Sequence, residues 1–159
     1  MRILLLNGPN LGRLGYRQPE IYGTTTLADV VAAVRERAAA GGATVDDLQT
    51  NHEGALIDRL EQRDYDAVII NPGGLAHTSI VLHDAILGAE RPTVEVHISN
   101  IREREPFRRV SVSEETVMAA IPPVPAGEGA IVVMGLVPCP WCGPATSRRH
   151  PGSHASHAP

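Results

Sequence analysis

Short apolar runs alternate with helically periodic segments from Arg2 to Glu105, and this alternation restricts the possible folds more than any other property of the chain. Ile3 to Leu6 is apolar and reads as a first strand. Thr24 to Thr26 offers capping hydroxyls to a helix from Leu27 to Ala40, where Leu27, Val30, Val31, Val34 and Ala38 recur with helical spacing; Gly41-Gly42 supplies the stop. A strand from Ala43 to Leu48 follows, then a helix capped by Asn51 with Ala55, Leu56 and Leu60 as its apolar stripe. Ala67 to Ile70 reads as a third strand. Thr78-Ser79 opens a helix carrying Ile80, Val81, Ala85, Ile86 and Leu87, and Thr93 to Ile98 reads as a fourth strand. Such a pattern calls for right-handed crossovers and a parallel sheet covered on both faces. The expected class is α/β, a flavodoxin-like three-layer sandwich with a parallel sheet of about five strands.

Past Arg109 the alternation weakens. A short helix is expected from Glu114 to Ala120 and a fifth strand from Ala130 to Met134, which makes residues 1–137 one catalytic domain. Pro138 to Pro159 is mostly Pro, Ser, His, Arg, Ala and Gly. That composition buries too little apolar surface to offset ordering entropy, so a disordered tail is expected. Cys139-Pro140-Trp141-Cys142 has the spacing of a redox pair or half a zinc site, with His150, His154 and His157 nearby. It lacks the strand-to-helix context of the first and the second ligand pair of the second, and reads as two incidental thiols. No metal is expected.

At 159 residues the chain suits one domain with a sizeable core, and its hydrophobic fraction of 43% fits a folded soluble protein. A formal net charge of −4 provides no basic field for nucleic acid. No stretch is long and apolar enough for a membrane span, and the N-terminus enters a strand without the zones of a signal peptide, so the cytoplasm is expected. All 14 basic residues are arginine. Without lysine, imine catalysis on a lysine side chain is excluded.

The polar residues of interest gather at strand ends. Asn7-Gly8-Pro9-Asn10 follows the first strand, Asn71 to Ser79 (NPGGLAHTS) the third, and Glu95 to Ser99 (EVHIS) ends the fourth. Open α/β sheets bind ligands outside the carboxyl ends of their strands, so Asn10, Asn71, His77 and His97 are expected to share a cleft. Gly73-Gly74 could bind an anion through backbone amides, although neither a P-loop lysine nor a dinucleotide glycine spacing accompanies it. Glu95 and His97 share alternation parity, which lets the carboxylate orient the imidazole. The segment from Gly12 to Gly23 is long enough to be a lid and carries Tyr22, a candidate base if a cation such as Arg17 lowers its pKa. Arg102, Arg104, Arg108 and Arg109 follow the fourth strand and favour a carboxylate-bearing substrate.

These segments resemble the type II 3-dehydroquinate dehydratases, cofactor-free enzymes of the shikimate pathway. NGPNLGRLG from Asn7, the RxPxxYG stretch from Arg17 to Gly23, NHEGALID from Asn51 to Asp58, NPGGLAHTS, and EVHISN with the arginines and Phe107 beyond it occur in the family's order over residues 1 to 113. The resemblance implies an anti elimination of water from 3-dehydroquinate through an enolate. By resemblance, Tyr22 as tyrosinate takes the proton, helped by Arg17. Asn10 holds the water that meets the enolate oxygen, and His97, oriented by Glu95, protonates the leaving hydroxyl. Asn71, His77, Asp84, Arg108 and the amides of Ile98 and Ser99 bind substrate, and Arg104 closes the lid. The family also implies a homododecamer, with no nucleic-acid or membrane partner. Gln18 departs from the acidic residue usual in the lid. The family's Gly-rich turn and final helix are replaced by Leu136 to Cys142 and the tail, which suggests a frameshift or truncation. A non-catalytic descendant binding a related hydroxy acid is the alternative.

Overall fold

The computed structural model describes residues 1–18, 23–117 and 119–121. Five parallel strands form one sheet in the order β2-β1-β3-β4-β5, with β1 Arg2–Asn7, β2 Thr44–Gln49, β3 Ala67–Asn71, β4 Thr93–Val96 and β5 Ala119–Ile121. Three helices make the crossovers: α1 Leu27–Ala40, α2 Glu53–Glu61 and α3 Ile80–Ala89. Period-two alternation divides β1 and β3 between two cores. Ile3, Leu5, Ile69 and Val94 pack with Val31, Val34 and Ala38 of α1. Leu4, Leu6, Val68 and Ile70 pack with Leu56 and Leu60 of α2 and Leu82, Ile86 and Ala89 of α3. The result is the expected flavodoxin-like sandwich, one helix on one face and two on the other. Among the described residues, no helix is long and apolar enough to cross a membrane.

Local chemistry accounts for the element ends. Thr26 and Asp29 form a capping box at the start of α1, with Asp29 N–H donating to Thr26 Oγ1 at 3.2 Å and Thr26 N–H to Asp29 Oδ2 at 2.9 Å. Ser79 caps α3 by accepting from Leu82 N–H at 2.9 Å. The edge strand β2 carries Asp46 and Asp47, bound to Arg59 and Arg35 at 2.6 and 2.5 Å, and charge of this kind discourages pairing with another sheet.

Two expectations need correction, the helix after Glu114 and the end of the fourth strand. The segment expected to be a helix from Glu114 to Ala120 is a single 3₁₀ turn, Glu114–Thr116, followed by β5. The fifth strand is therefore Ala119–Ile121, recruited by the free edge of β4; Ala130 to Met134 lies outside the described residues, as do Cys139 and Cys142. Strand β4 ends at Val96, so His97 stands just beyond it. On α3 the buried stripe is Leu82, Ile86 and Ala89, whereas Ile80, Val81 and Leu87 are exposed. That helix is apolar on more than one face, and composition could not tell which face the sheet would take.

Candidate active site

The chain steps outward from β1 to β2, then returns across β1 to place β3 on its other side, so the connections diverge between β1 and β3. A crevice at the carboxyl ends of those strands follows from the topology. Asn7 and Asn71 are register partners there, and the two chains stay joined one residue further, where Gly8 N–H donates to the Asn71 carbonyl at 2.8 Å. Gly8 passes so close to the next turn that a Cβ would lie 2.5 Å from the Pro72 carbonyl oxygen. Asn10 has a left-handed backbone, φ 69°, a conformation asparagine tolerates better than most residues. Its amide donates to Asn51 Oδ1 at 2.9 Å, which also accepts from Gln49 Nε2 at 3.3 Å. Asn51 is thus a brace for the Asn10 loop and not the cap of α2, whose N-cap position is His52 with no side-chain cap bond. Asn71, itself buried, accepts from Gly73 N–H at 3.2 Å through Oδ1, holding the turn that leads to His77.

The two histidines are fixed from below. Glu95 is fully buried, and its Oε1 lies 2.6 Å from His97 Nε2, which leaves Nδ1 for the cleft. Ser111 Oγ also donates to Oε1, at 2.7 Å, and Ser113 Oγ donates to Oε2. Burial alone would raise the Glu95 pKa. Hydrogen bonds from His97, Ser113 and Ser111, with the charge of His97, outweigh it and hold the carboxyl below its ordinary value. His77 Nδ1 lies 2.8 Å from the Val110 carbonyl, a contact in which the ring nitrogen donates. The His77 and His97 rings stack with centroids 6.4 Å apart and planes within 14°.

These groups border a cavity of about 380 Å³ lined by Asn10, Asn71, His77, His97, Ile98 and Ser99, with Arg13, Arg17, Arg104 and Arg108 adding cationic side chains. Arg104 is anchored at Ser99 Oγ, 3.1 Å, and beside Glu105, 3.3 Å. Arg108 lies over the Phe107 ring, and its Nε faces Glu105 Oε2 at 3.4 Å, an ion pair without hydrogen-bond geometry. A guanidinium bordering a cleft is suited to an anionic ligand. The structure therefore gathers ten of the expected residues: Asn10, Arg17, Asn71, His77, His97, Ile98, Ser99, Arg104 and Arg108 at the cavity wall, and Glu95 directly behind it. Tyr22 lies outside the described residues. Asp84 is exposed on α3, 3.0 Å from His83 Nδ1, and does not line the cavity.

Residues that the strand-end reasoning missed are mostly supports. Ser111 and Ser113 are buried beneath Glu95, and the signal that could have found them is their own alternation about Val112, the same period that pairs Glu95 with His97. Gln49 and Asn51 carry no comparable signal, because their contact with the Asn10 loop crosses from β2 to β1. His83 has a partner in Asp84 that the sequence reading did not assign. Among the described residues no cluster of three or more His, Cys, Asp or Glu could hold a metal ion.

Residues 1–128 match the family described as Dehydroquinase class II. A 3-dehydroquinate dehydratase of Janthinobacterium sp. (strain Marseille) is 56% identical over 112 residues, spanning 69% of this chain and 77% of the relative. A catabolic 3-dehydroquinase of Verticillium alfalfae is 49% identical over 122 residues, spanning 76% and 81%. In three dimensions the chain is similar to the type II dehydroquinase of Butyrivibrio crossotus, with a TM-score of 0.81 and 37% identity over 85% of this chain and 95% of that one.

Proposed function

The chain belongs to the class II dehydroquinase family, and from that premise we propose that it converts 3-dehydroquinate to 3-dehydroshikimate by anti elimination of water, as a hydro-lyase of the shikimate pathway. The observation that carries this reading is the buried Glu95–His97 pair opening onto a cavity with four arginines. The reaction needs a base for the proton beside the ketone, a group to stabilise the enolate, and an acid for the departing hydroxyl. His97 is the acid: Glu95 holds Nε2 and keeps the ring oriented, which leaves Nδ1 for the leaving hydroxyl. Asn10, on its braced loop, binds the water that meets the enolate oxygen. Tyr22 is the base, and Arg17, which lines the cavity, stabilises the negative charge that develops in the transition state.

The substrate carboxylate and hydroxyls fall to Arg108, Asn71, His77, Ile98 and Ser99, with Arg104 closing the site. The guanidinium of Arg108 at the cavity wall, beside those of Arg13, Arg17 and Arg104, supports the carboxylate assignment. No cofactor enters this scheme, and the chain has no lysine for an imine. We also propose a homo-oligomer, supported by the exposed Ile80, Val81 and Leu87 on α3, in which Asp84, outside the cavity of its own chain, contributes to substrate binding in a neighbouring copy. A cytoplasmic location belongs to the same reading. The deciding experiment is absorbance of the conjugated product on mixing purified protein with 3-dehydroquinate; an inert protein that still bound the substrate would overturn it.

A further inference from the structure

The segment following the arginine cluster does more than close the domain. Val112 N–H donates to the Ala76 carbonyl at 2.7 Å, and the Val110 carbonyl accepts from His77, so residues 110 to 112 run along the loop that carries His77. In the next turn Ser111 and Ser113 reach the buried carboxylate of Glu95, one on each oxygen. With His97 sharing Oε1, both oxygens are engaged, and the carboxylate cannot turn without breaking one of three hydrogen bonds. Ser113 is 1% exposed and Ser111 6%, so water is not available to replace a lost hydroxyl. We propose that Ser111 and Ser113 are positioning residues for the dehydration: they act through Glu95, holding its carboxylate aimed so that His97 presents Nδ1 to the leaving hydroxyl. The inference rests on the general-acid reading of His97 given above. His97 is the titratable group in contact with Glu95, and His77 is stacked beyond it; the arginines lie on the cleft side.

A double-mutant cycle on the full chain separates this role from simple packing. Ser113→Ala should lower kcat about tenfold with little change in KM, because a hydrogen bond to a charged group is lost away from the substrate. Ser113→Thr, which keeps the hydroxyl, should recover most of kcat. In a Glu95→Gln background the same Ser113→Ala change should have almost no further effect, since the group it acts through is no longer charged. Ser111→Ala offers the identical cycle should Ser113→Ala fail to fold, because either serine leaves the other in place. Losses that multiply in full between Ser113→Ala and Glu95→Gln would overturn the proposal, as would an unchanged kcat in both serine variants. If instead Glu95→Gln and His97→Ala both keep near wild-type kcat, the failure belongs to the general-acid reading and the positioning role falls with it.

Discussion

Residue by residue, the cleft is made of polar groups whose orientation is set by partners behind them. His97→Ala and Tyr22→Phe should each lower kcat by at least about 10²-fold while the far-ultraviolet circular dichroism stays that of the wild type, as expected when a general acid or base is removed. Near wild-type turnover by Tyr22→Phe would require another base. Glu95 ties chemistry to stability. Its folded pKa lies below the unfolded value of about 4.3, so its contribution is complete above that value and is lost as pH falls through the folded one. The melting-temperature gap between wild type and Glu95→Gln should therefore be widest near neutrality and close on acidification below about pH 4. A gap independent of pH would mean that the carboxylate's charge is not what stabilises the fold.

At the level of elements, strand ends matter more than strand interiors for function. The turn after β1 can lie against the turn after β3 only because Gly8 has no side chain; Gly8→Ala would force the Pro72 carbonyl aside and move Asn10 and Gly73 with it. Assays of that variant should show weaker turnover together with a lower denaturation midpoint. Thr26→Ala, at the capping box of α1 on the loop side of the sheet, should instead lower stability by about 1 kcal/mol in urea titrations and leave kcat unchanged. In the helix core, Leu56→Ala opens a cavity under a fully buried side chain and should remove about 2–5 kcal/mol by the same measurement. Equal effects from the cap and the core would contradict the packing described.

For the whole molecule, the absence of lysine makes a direct prediction: borohydride added with substrate should trap no covalent adduct and leave turnover intact. Mass spectrometry of the treated protein checks it, and an adduct would sink the enolate route. Much of the architecture was legible along the chain because apolar periodicity and caps are local. The limits of α1, the two-sided inner strands and the gathering of Asn10, Asn71, His77 and His97 at strand ends all follow from near neighbours and the handedness of crossovers. Sequence alone also indicated the Glu95–His97 pair, since two residues of equal parity sit on one side of an extended chain. Other features were decided by contacts between segments far apart in the chain, which no local pattern encodes. The edge of β4 made Ala119–Ile121 a strand where periodicity suggested a helix, and the Asn10 loop took Asn51 as a brace instead of leaving it to cap α2. The sheet chose Leu82, Ile86 and Ala89 from an almost wholly apolar helix, and burial of Glu95 drew in Ser111 and Ser113 because a buried charge needs hydrogen-bond donors wherever the fold can supply them.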